Sequence, residues 1–143
     1  MTKRWRRAAM LAAIGMLALA AVAVAQASTV GVGTAEVKEH KEPVAVNSRG
    51  LTVYELGPES AHHLVCKSSA CLNVWPPVKA SGKLVKAAGV NGKLGTVARK
   101  GFRQVTLDGH PIYTSVEDAG RRGKAEGDGI RNFGGVWHVF KES

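Results

Sequence analysis

Four side chains that bind soft or borderline metal ions stand within ten residues of one another: His62, His63, Cys66 and Cys71. Imidazole and thiolate are ligands that zinc and copper favour, so an extracytoplasmic metal or redox protein is one hypothesis. The spacing matches no standard zinc pattern. Cys66 and Cys71 are the only cysteines, and in an oxidising compartment an even pair in a small domain forms a disulfide, which would remove both thiolates. The sequence favours the disulfide.

Other cofactor chemistry has less support. Four residues separate Cys66 from Cys71, whereas a redox C-x-x-C site has two, and no C-x-x-C-H haem motif is present. Asp118, Glu126 and Asp128 lie in or beside a glycine-rich stretch but lack the alternation of oxygen ligands that an EF-hand loop requires. We therefore expect no cofactor.

Catalytic motifs are also missing. The sequence contains no Walker loop, nucleophile elbow or His-Glu-x-x-His segment. A hydrolase that uses Tyr113 and Asp118 with a histidine is the remaining catalytic hypothesis, but no motif places a nucleophile beside a base. His110 and His138 lie on separate predicted strands and could meet across a sheet. A non-enzymatic binding or structural module is favoured.

Residues 1–27 have the pattern of a secretory signal peptide. Four basic residues precede an apolar run from Ala8 to Ala25, and Ala25-Gln26-Ala27 is a small-x-small cleavage pattern. An uncleaved anchor is the alternative, because the run approaches the roughly 18 to 20 residues that span a bilayer. Cleavage predicts a secreted protein, extracellular or in the periplasmic or cell-wall space, with no membrane span. No cysteine near the cleavage site offers a lipid acceptor.

The charge of the mature chain suggests one kind of partner. The formal charge is +9, and removal of four basic residues with the leader leaves 16 minus 11, or +5. A basic cluster in the glycine-rich stretch comprises Arg121, Arg122, Lys124 and Arg131, beside Phe133. Nucleic-acid binding would need more basic and stacking residues. An anionic cell-wall or envelope polymer is the expected partner, if the charge is more than a solvated surface.

The rest of the chain contains a duplicated pattern. In each copy a glycine stands four residues before a tyrosine and an acid stands five after it: Gly50, Tyr54 and Glu59, then Gly109, Tyr113 and Asp118. A tryptophan follows each copy, Trp75 and Trp137. We interpret the chain as a flexible or edge-strand lead-in at 28–43 and a domain at 44–143 with repeats at about 44–78 and 103–140.

Each repeat is predicted to centre on a β-hairpin. Residues 44–46 and 51–56 are β-prone runs around a polar turn, and Asp108-Gly109 between β-prone runs favours a two-residue turn. A short helix is predicted near 70–74, and 136–140 is a last strand. Pro76 and Pro77 exclude an internal strand there. The predicted fold is mainly β, a small single domain of two hairpin-centred repeats with glycine-rich loops.

This pattern resembles a known bacterial family. The elements that carry the resemblance are Cys66…Cys71…Trp75-Pro76-Pro77, Gly109-His110-Pro111-Ile112-Tyr113 and the Tyr-x4-Asp spacing of Tyr113 and Asp118. They are similar to the secreted repeat family of unknown function found in predicted lipoproteins, over roughly residues 44–140. The resemblance implies no established activity. Glu59 stands where the motif has Asp, and the lipid-accepting cysteine of the lipoproteins is absent.

The repeated residues are expected to form a structural framework. A buried tyrosine hydroxyl needs a polar partner, so bonding to a carboxylate near the strand end would explain the Tyr-x4-acid spacing. Trp75 and Trp137 should fill the core, although an exposed Trp75 could serve as a sugar or peptide platform. The expected framework is Tyr54, Glu59, Trp75, Pro76, Pro77, Tyr113, Asp118 and Trp137.

Overall fold

The described strands of this chain range from two to ten residues in length. The computed structural model describes residues 20–21 and 26–143, so most of the predicted signal peptide at 1–27 lies outside the described residues. The described strands are β1 (Ser28–Val37), β2 (His40–Val46), β3 (Tyr54–Leu56), β4 (Leu84–Lys86), β5 (Leu94–Arg99), β6 (Phe102–Leu107), β7 (His110–Pro111), β8 (Arg131–Asn132) and β9 (Gly135–Val139). One α-helix, α1 (Ser69–Val74), and a 3₁₀ turn at Val116–Asp118 complete the described elements.

The strands form three small sheets of three strands each, and the fold is mainly β, as predicted from the sequence. Their orders are β2-β1-β4, β3-β9-β8 and β5-β6-β7. All neighbours are antiparallel except β1 and β4. Within the described part of the chain, no helix is both long and apolar enough to cross a membrane.

The lead-in at 28–43 differs from the expected flexible or edge strand. β1 lies between β2 and β4, so it is the central strand of its sheet. Val30, Ala35 and Val37 are buried, and this burial stabilises the strand. The charged residues that suggested fraying lie at the exposed tip of the β1–β2 hairpin, around Lys38 and Glu39.

The second predicted hairpin is confirmed. β6 and β7 pair through Thr106↔Pro111 and Leu107↔His110. Asp108 and Gly109 connect them with φ angles of 51° and 78°, the left-handed pair that a type I′ turn requires. The sequence Asp-Gly supplies residues that tolerate this conformation.

The first repeat turns back at the corresponding place. The Asn47 side chain accepts hydrogen bonds from the backbone N–H groups of Arg49 and Leu51, both at 3.0 Å, and Gly50 has a φ of 77°. These contacts form an Asx-stabilised turn. Val46 and Thr52, on either side of this turn, form a β-bridge. The chain then continues to Tyr54, the first residue of β3.

The second hairpin meets the first repeat at Tyr54 and Tyr113, whereas the first predicted hairpin is reduced to one Val46↔Thr52 bridge, because β2 pairs with β1 and β3 pairs with β9. The Tyr54 N–H donates to the Tyr113 carbonyl at 2.8 Å, and the Tyr113 N–H donates to the Tyr54 carbonyl at 3.0 Å. This reciprocal pair is a local antiparallel contact between the two predicted repeats. β3 of the first repeat also pairs with β9 of the second, from Tyr54↔Val139 to Leu56↔Trp137. The repeats are therefore joined through backbone and side chains into one domain.

The core around this contact leaves no room for an added methyl group at Gly127. A Cβ built there would lie 2.9 Å from both a Trp75 and a Tyr54 ring carbon, closer than packed atoms approach. Gly31 in β1 offers a matched control, because its Cβ would lie 3.8 Å from the nearest atom, on Val46.

We predict that Gly127→Ala lowers the free energy of unfolding by about 1 to 3 kcal/mol, since overpacking displaces the rings. Urea unfolding followed by tryptophan fluorescence measures this change. Gly31→Ala should lie within about 1 kcal/mol of the wild type, because ordinary contact and β geometry tolerate the methyl group. Equal stabilities for the two variants would contradict the described packing.

Candidate functional site

Each repeated tyrosine binds the acid of the other repeat. The Tyr54 hydroxyl donates to Asp118 Oδ2 at 2.7 Å, and the Tyr113 hydroxyl donates to Glu59 Oε1 at 2.5 Å. All four side chains are buried. We call these contacts the exchanged pairs, because each tyrosine bonds to the acid of the other Tyr-x4-acid segment.

The second oxygen of each acid fixes a loop in its own repeat. Glu59 Oε2 accepts hydrogen bonds from the Val65 and Cys66 N–H groups at 2.7 and 2.8 Å. Asp118 Oδ1 accepts one from the Glu126 N–H at 2.9 Å. Each carboxylate therefore ties the loop that follows it to the tyrosine of the other repeat.

The two tryptophans stack at the centre of the core. Their rings are 3.9 Å apart and nearly parallel, at 7°, and both indole N–H groups donate to Asn132 Oδ1. Tyr54 meets Trp75 edge-on at 5.5 Å, and Tyr113 meets Trp137 at 5.1 Å. Trp75 is fully buried, so the hypothesis that it forms an exposed sugar or peptide platform is wrong.

Pro76 and Pro77 follow Trp75 in the chain, and they also contact the second repeat. The Pro76 carbonyl accepts a hydrogen bond from the Thr114 N–H at 2.9 Å, and Pro77 bridges Tyr113. A proline has no N–H to donate, but its carbonyl is free to accept. The Trp-Pro-Pro segment thus lies against the second hairpin.

Burial and hydrogen bonding make both tyrosines poor acids. Burial raises the pKa of Tyr54, and the bond to the Asp118 carboxylate raises it further. Burial likewise raises the pKa of Tyr113, with Glu59 adding to the effect and the nearby Arg99 opposing it. Burial also raises the pKa of Asp118, although the bond from Tyr54 opposes that rise. A buried, protonated phenol that already donates its proton is unsuited to nucleophilic attack.

Arg99 distinguishes the second exchanged pair from the first. Its guanidinium donates to the Tyr113 hydroxyl at 2.5 Å, to the Cys66 carbonyl at 2.9 Å and to Gln104 Oε1 at 2.7 Å. At the first pair, the Gly127 N–H approaches the Tyr54 hydroxyl instead, at 3.3 Å. Sequence reasoning missed Arg99, because nothing in the Tyr-x4-acid pattern points to a residue 14 positions upstream.

The predicted disulfide is confirmed. Cys66 and Cys71 are bonded, with a Cα–Cα distance of 5.6 Å, so their thiolates are not available as metal ligands. His62 and His63 are exposed beside them. Over the residues that the structure describes, no group of three or more His, Cys, Asp or Glu side chains is arranged to hold a metal ion.

His110 and His138 both lie near Glu55. His138 is the cross-strand partner of Glu55, and His110 Nδ1 lies 3.0 Å from Glu55 Oε2 and 2.9 Å from the Glu59 carbonyl oxygen. Burial raises the pKa of the Glu55 carboxyl, and the two imidazoles oppose this rise. The histidines thus meet a common carboxylate.

A wide cleft of about 500 Å³ opens beside the β1–β2 hairpin tip and β9. It carries charges of both signs, and its lysines face carboxylates: Lys141 lies 2.6 Å from Glu42, and Lys38 lies 3.7 Å from Asp128. These ion pairs neutralise the cleft. It therefore has little excess charge with which to select a charged ligand.

A second cleft, of about 270 Å³, combines an apolar lining with basic side chains. Leu64, Leu72, Ala98 and Phe102 contribute its apolar lining, and Lys67, Arg99 and Lys100 contribute its charges. The Lys79 ammonium lies 5.0 Å from the centre of the Phe102 ring. We call this site, between α1 and the β5–β6 turn, the basic cleft. No acidic side chain is among the described residues that line it.

The basic cleft belongs to an acid-free stretch of the sequence. Between Glu59 and Asp108 there is no Asp or Glu, whereas eight residues are Lys or Arg. Seven of the eight are exposed and Arg99 is half-buried. The complete list is Lys67, Lys79, Lys83, Lys86, Lys93, Arg99, Lys100 and Arg103. Sequence reasoning missed this stretch, although charge counted along the chain would have found it.

The basic cluster predicted from the sequence is less strongly positive. Lys124 lies 4.0 Å from Glu126, and the Arg122 side chain donates to the Arg49 carbonyl at 2.7 Å. Glu117 and Asp118 precede these residues closely in the chain. Among the described residues, the acid-free stretch is therefore less neutralised than the glycine-rich stretch.

Residues 95–141 match the model of a protein family described as a secreted repeat of unknown function. The match confirms the resemblance drawn from the sequence over this span, which contains Tyr113, Asp118 and Trp137 but not the residues from 44 to 94. The family is a secreted one, in agreement with the predicted location outside the cytoplasm. Searches of curated proteins and of solved structures found no match.

The two tyrosines should ionise only when the protein unfolds. Tyr54 and Tyr113 are the only tyrosines in the chain, and in the unfolded state each loses its proton near pH 10. Because their folded pKa values are raised, the folded state binds more protons than the unfolded state above about pH 10, and stability falls as the pH rises further.

We predict that tyrosinate absorbance appears together with the loss of native tryptophan fluorescence in an alkaline titration, and that the melting temperature falls above about pH 10. An ordinary titration of one tyrosine near pH 10, with tryptophan fluorescence unchanged, would contradict the buried hydroxyl contacts.

Proposed function

We propose that this protein is a secreted, non-enzymatic binding module that associates with an anionic polymer of the cell envelope. The observation that carries the proposal is the acid-free stretch between Glu59 and Asp108, with its seven exposed basic side chains. Unbalanced charge of one sign attracts a polymer of the other sign and raises the rate of association.

The burial of the repeat framework supports a non-enzymatic role. Tyr54, Trp75, Tyr113 and Trp137 are fully buried, and Glu59 and Asp118 nearly so. Their polar atoms are occupied by one another and by the backbone. The residues of the repeat framework thus stabilise the fold, and the exposed surface is left for binding.

The positive charge of the acid-free stretch is not neutralised locally. The ion pairs of the described residues involve Lys38, His110, Lys124, His138 and Lys141. None of these belongs to the stretch. A polymer that carries phosphate or carboxylate groups would release counterions when it binds such a surface, so its affinity would depend on salt.

We predict that replacing four exposed basic residues near the basic cleft weakens polyphosphate binding by about tenfold or more at low salt and reduces the salt dependence. The variant is Lys67→Ala, Lys79→Ala, Lys100→Ala and Arg103→Ala. Its matched control removes the same charge elsewhere, through Lys41→Ala, Arg49→Ala, Arg121→Ala and Arg131→Ala. All eight positions are exposed.

Binding is measured by calorimetry or fluorescence over a series of salt concentrations, and circular dichroism verifies that each variant is folded. The control should weaken binding by less than about threefold, because only its long-range charge effect remains. Equal losses in the two variants would overturn the proposed surface, and no wild-type binding at low salt would overturn the proposed function.

A further inference from the structure

The basic cleft combines an apolar lining with a cationic rim. On one side of the cleft, Leu72 lies in α1 and Leu64 precedes this helix in the chain. Phe102, the first residue of β6, lies on the other side. Lys67 and Lys100 add charge at the cleft. A surface that only attracts a polyanion needs no apolar recess, and an apolar recess beside cationic groups suits a ligand with both apolar and anionic parts.

We propose that the basic cleft is a subsite for one sugar ring of an anionic glycan, a sugar that carries a carboxylate or phosphate group. The inference rests on the proposed function and deepens it, because it assigns the polymer to a chemical class and places one of its units. The polymer's other charged units would extend over the neighbouring exposed basic residues.

Phe102 supplies the surface for the sugar ring. Phe102 is half-buried and lines the cleft, and Lys79 lies over its ring at 5.0 Å, so the sugar would contact the part of the ring that Lys79 leaves uncovered. The face of an aromatic ring carries partial negative charge and attracts the weakly positive C–H groups of a sugar. Leu64 and Leu72 extend the apolar contact. Ligand sites commonly combine such apolar walls with a few polar groups that fix the orientation.

The lysines supply the contact to the anion. Lys67 and Lys100 line the cleft, whereas Lys79 lies outside this lining, over the Phe102 ring at 5.0 Å. An ammonium group binds carboxylate or phosphate as a point charge. Arg99 has a different role, because its guanidinium donates to Tyr113, Cys66 and Gln104. It anchors the cleft to the core.

The cleft is held in place on both sides. The disulfide closes the loop that carries α1, and the Ser68 side chain caps the helix by accepting from the Cys71 N–H at 3.1 Å. The opposite wall is the β5–β6 hairpin, paired from Leu94↔Leu107 to Arg99↔Phe102. A preformed site loses less entropy on binding than a flexible one.

The size of the cleft sets the size of the unit that it can hold. Its volume of about 270 Å³ lies just below the roughly 300 to 1,000 Å³ of drug-sized sites. It has room for a single ring with its substituents. Longer ligands must extend across the adjoining surface, which is basic.

The test is Phe102→Leu, which preserves apolar volume and removes the aromatic face. Wild type and variant are titrated with polygalacturonate, an anionic glycan, and with polyphosphate, which has no rings. We expect Phe102→Leu to weaken polygalacturonate binding by about fivefold or more and polyphosphate binding by less than about twofold. The paired variant Val85→Leu, at an exposed site outside the cleft, should change neither affinity.

The outcomes distinguish this inference from the proposed function. If both polymers bind the wild type and Phe102→Leu affects them equally or not at all, the sugar subsite is overturned while the proposed function remains. If neither polymer binds, both are overturned. Vesicles that contain phosphatidylglycerol form a third arm. A loss of vesicle binding in Phe102→Leu that exceeds the loss of polygalacturonate binding would assign the cleft to a lipid surface and overturn the inference.

Discussion

The exchanged pairs are the contacts on which the rest of the structure depends. Tyr54 bonds to Asp118, and Tyr113 bonds to Glu59, so neither Tyr-x4-acid motif is satisfied within its own repeat. A buried polar group that lacks a partner costs about 1 to 3 kcal/mol. A repeat on its own would leave both its hydroxyl and its carboxylate without these partners. The exchange therefore links the segment of Tyr54 and Glu59 to the segment of Tyr113 and Asp118.

The second exchanged pair also holds the wall of the basic cleft that contains α1. Glu59 accepts from the Cys66 N–H, and Arg99 connects the Cys66 carbonyl to the Tyr113 hydroxyl. The loop that carries the disulfide and α1 is thus tied to the core through the second exchanged pair. The Glu59 carboxylate reaches the Tyr113 hydroxyl and two backbone N–H groups. The corresponding Asp118 accepts from one backbone N–H.

Local sequence patterns predicted the local structure, but they did not predict the contacts between residues that are far apart in the chain. Asp108-Gly109 indicated a hairpin because its backbone preference is intrinsic, and the cysteine pair indicated a disulfide. The central position of β1 depends on its pairing with the distant β4, and the charges at 36–42 concealed it. Spacing placed each acid near a strand end, but it could not identify the tyrosine that the acid would meet. The basic cleft joins α1 to a distant hairpin, so no local motif marks it.

Double-mutant cycles on the free energy of unfolding test the exchange most directly. One cycle combines Tyr54→Phe with Asp118→Ala, which are partners in the structure. The other combines Tyr54→Phe with Glu59→Ala, which are neighbours in the sequence motif. The exchange predicts a coupling of about 1 kcal/mol or more in the first cycle and less than about 0.5 kcal/mol in the second. A larger coupling between Tyr54 and Glu59 would show that each motif is satisfied within its own repeat, and would contradict this account.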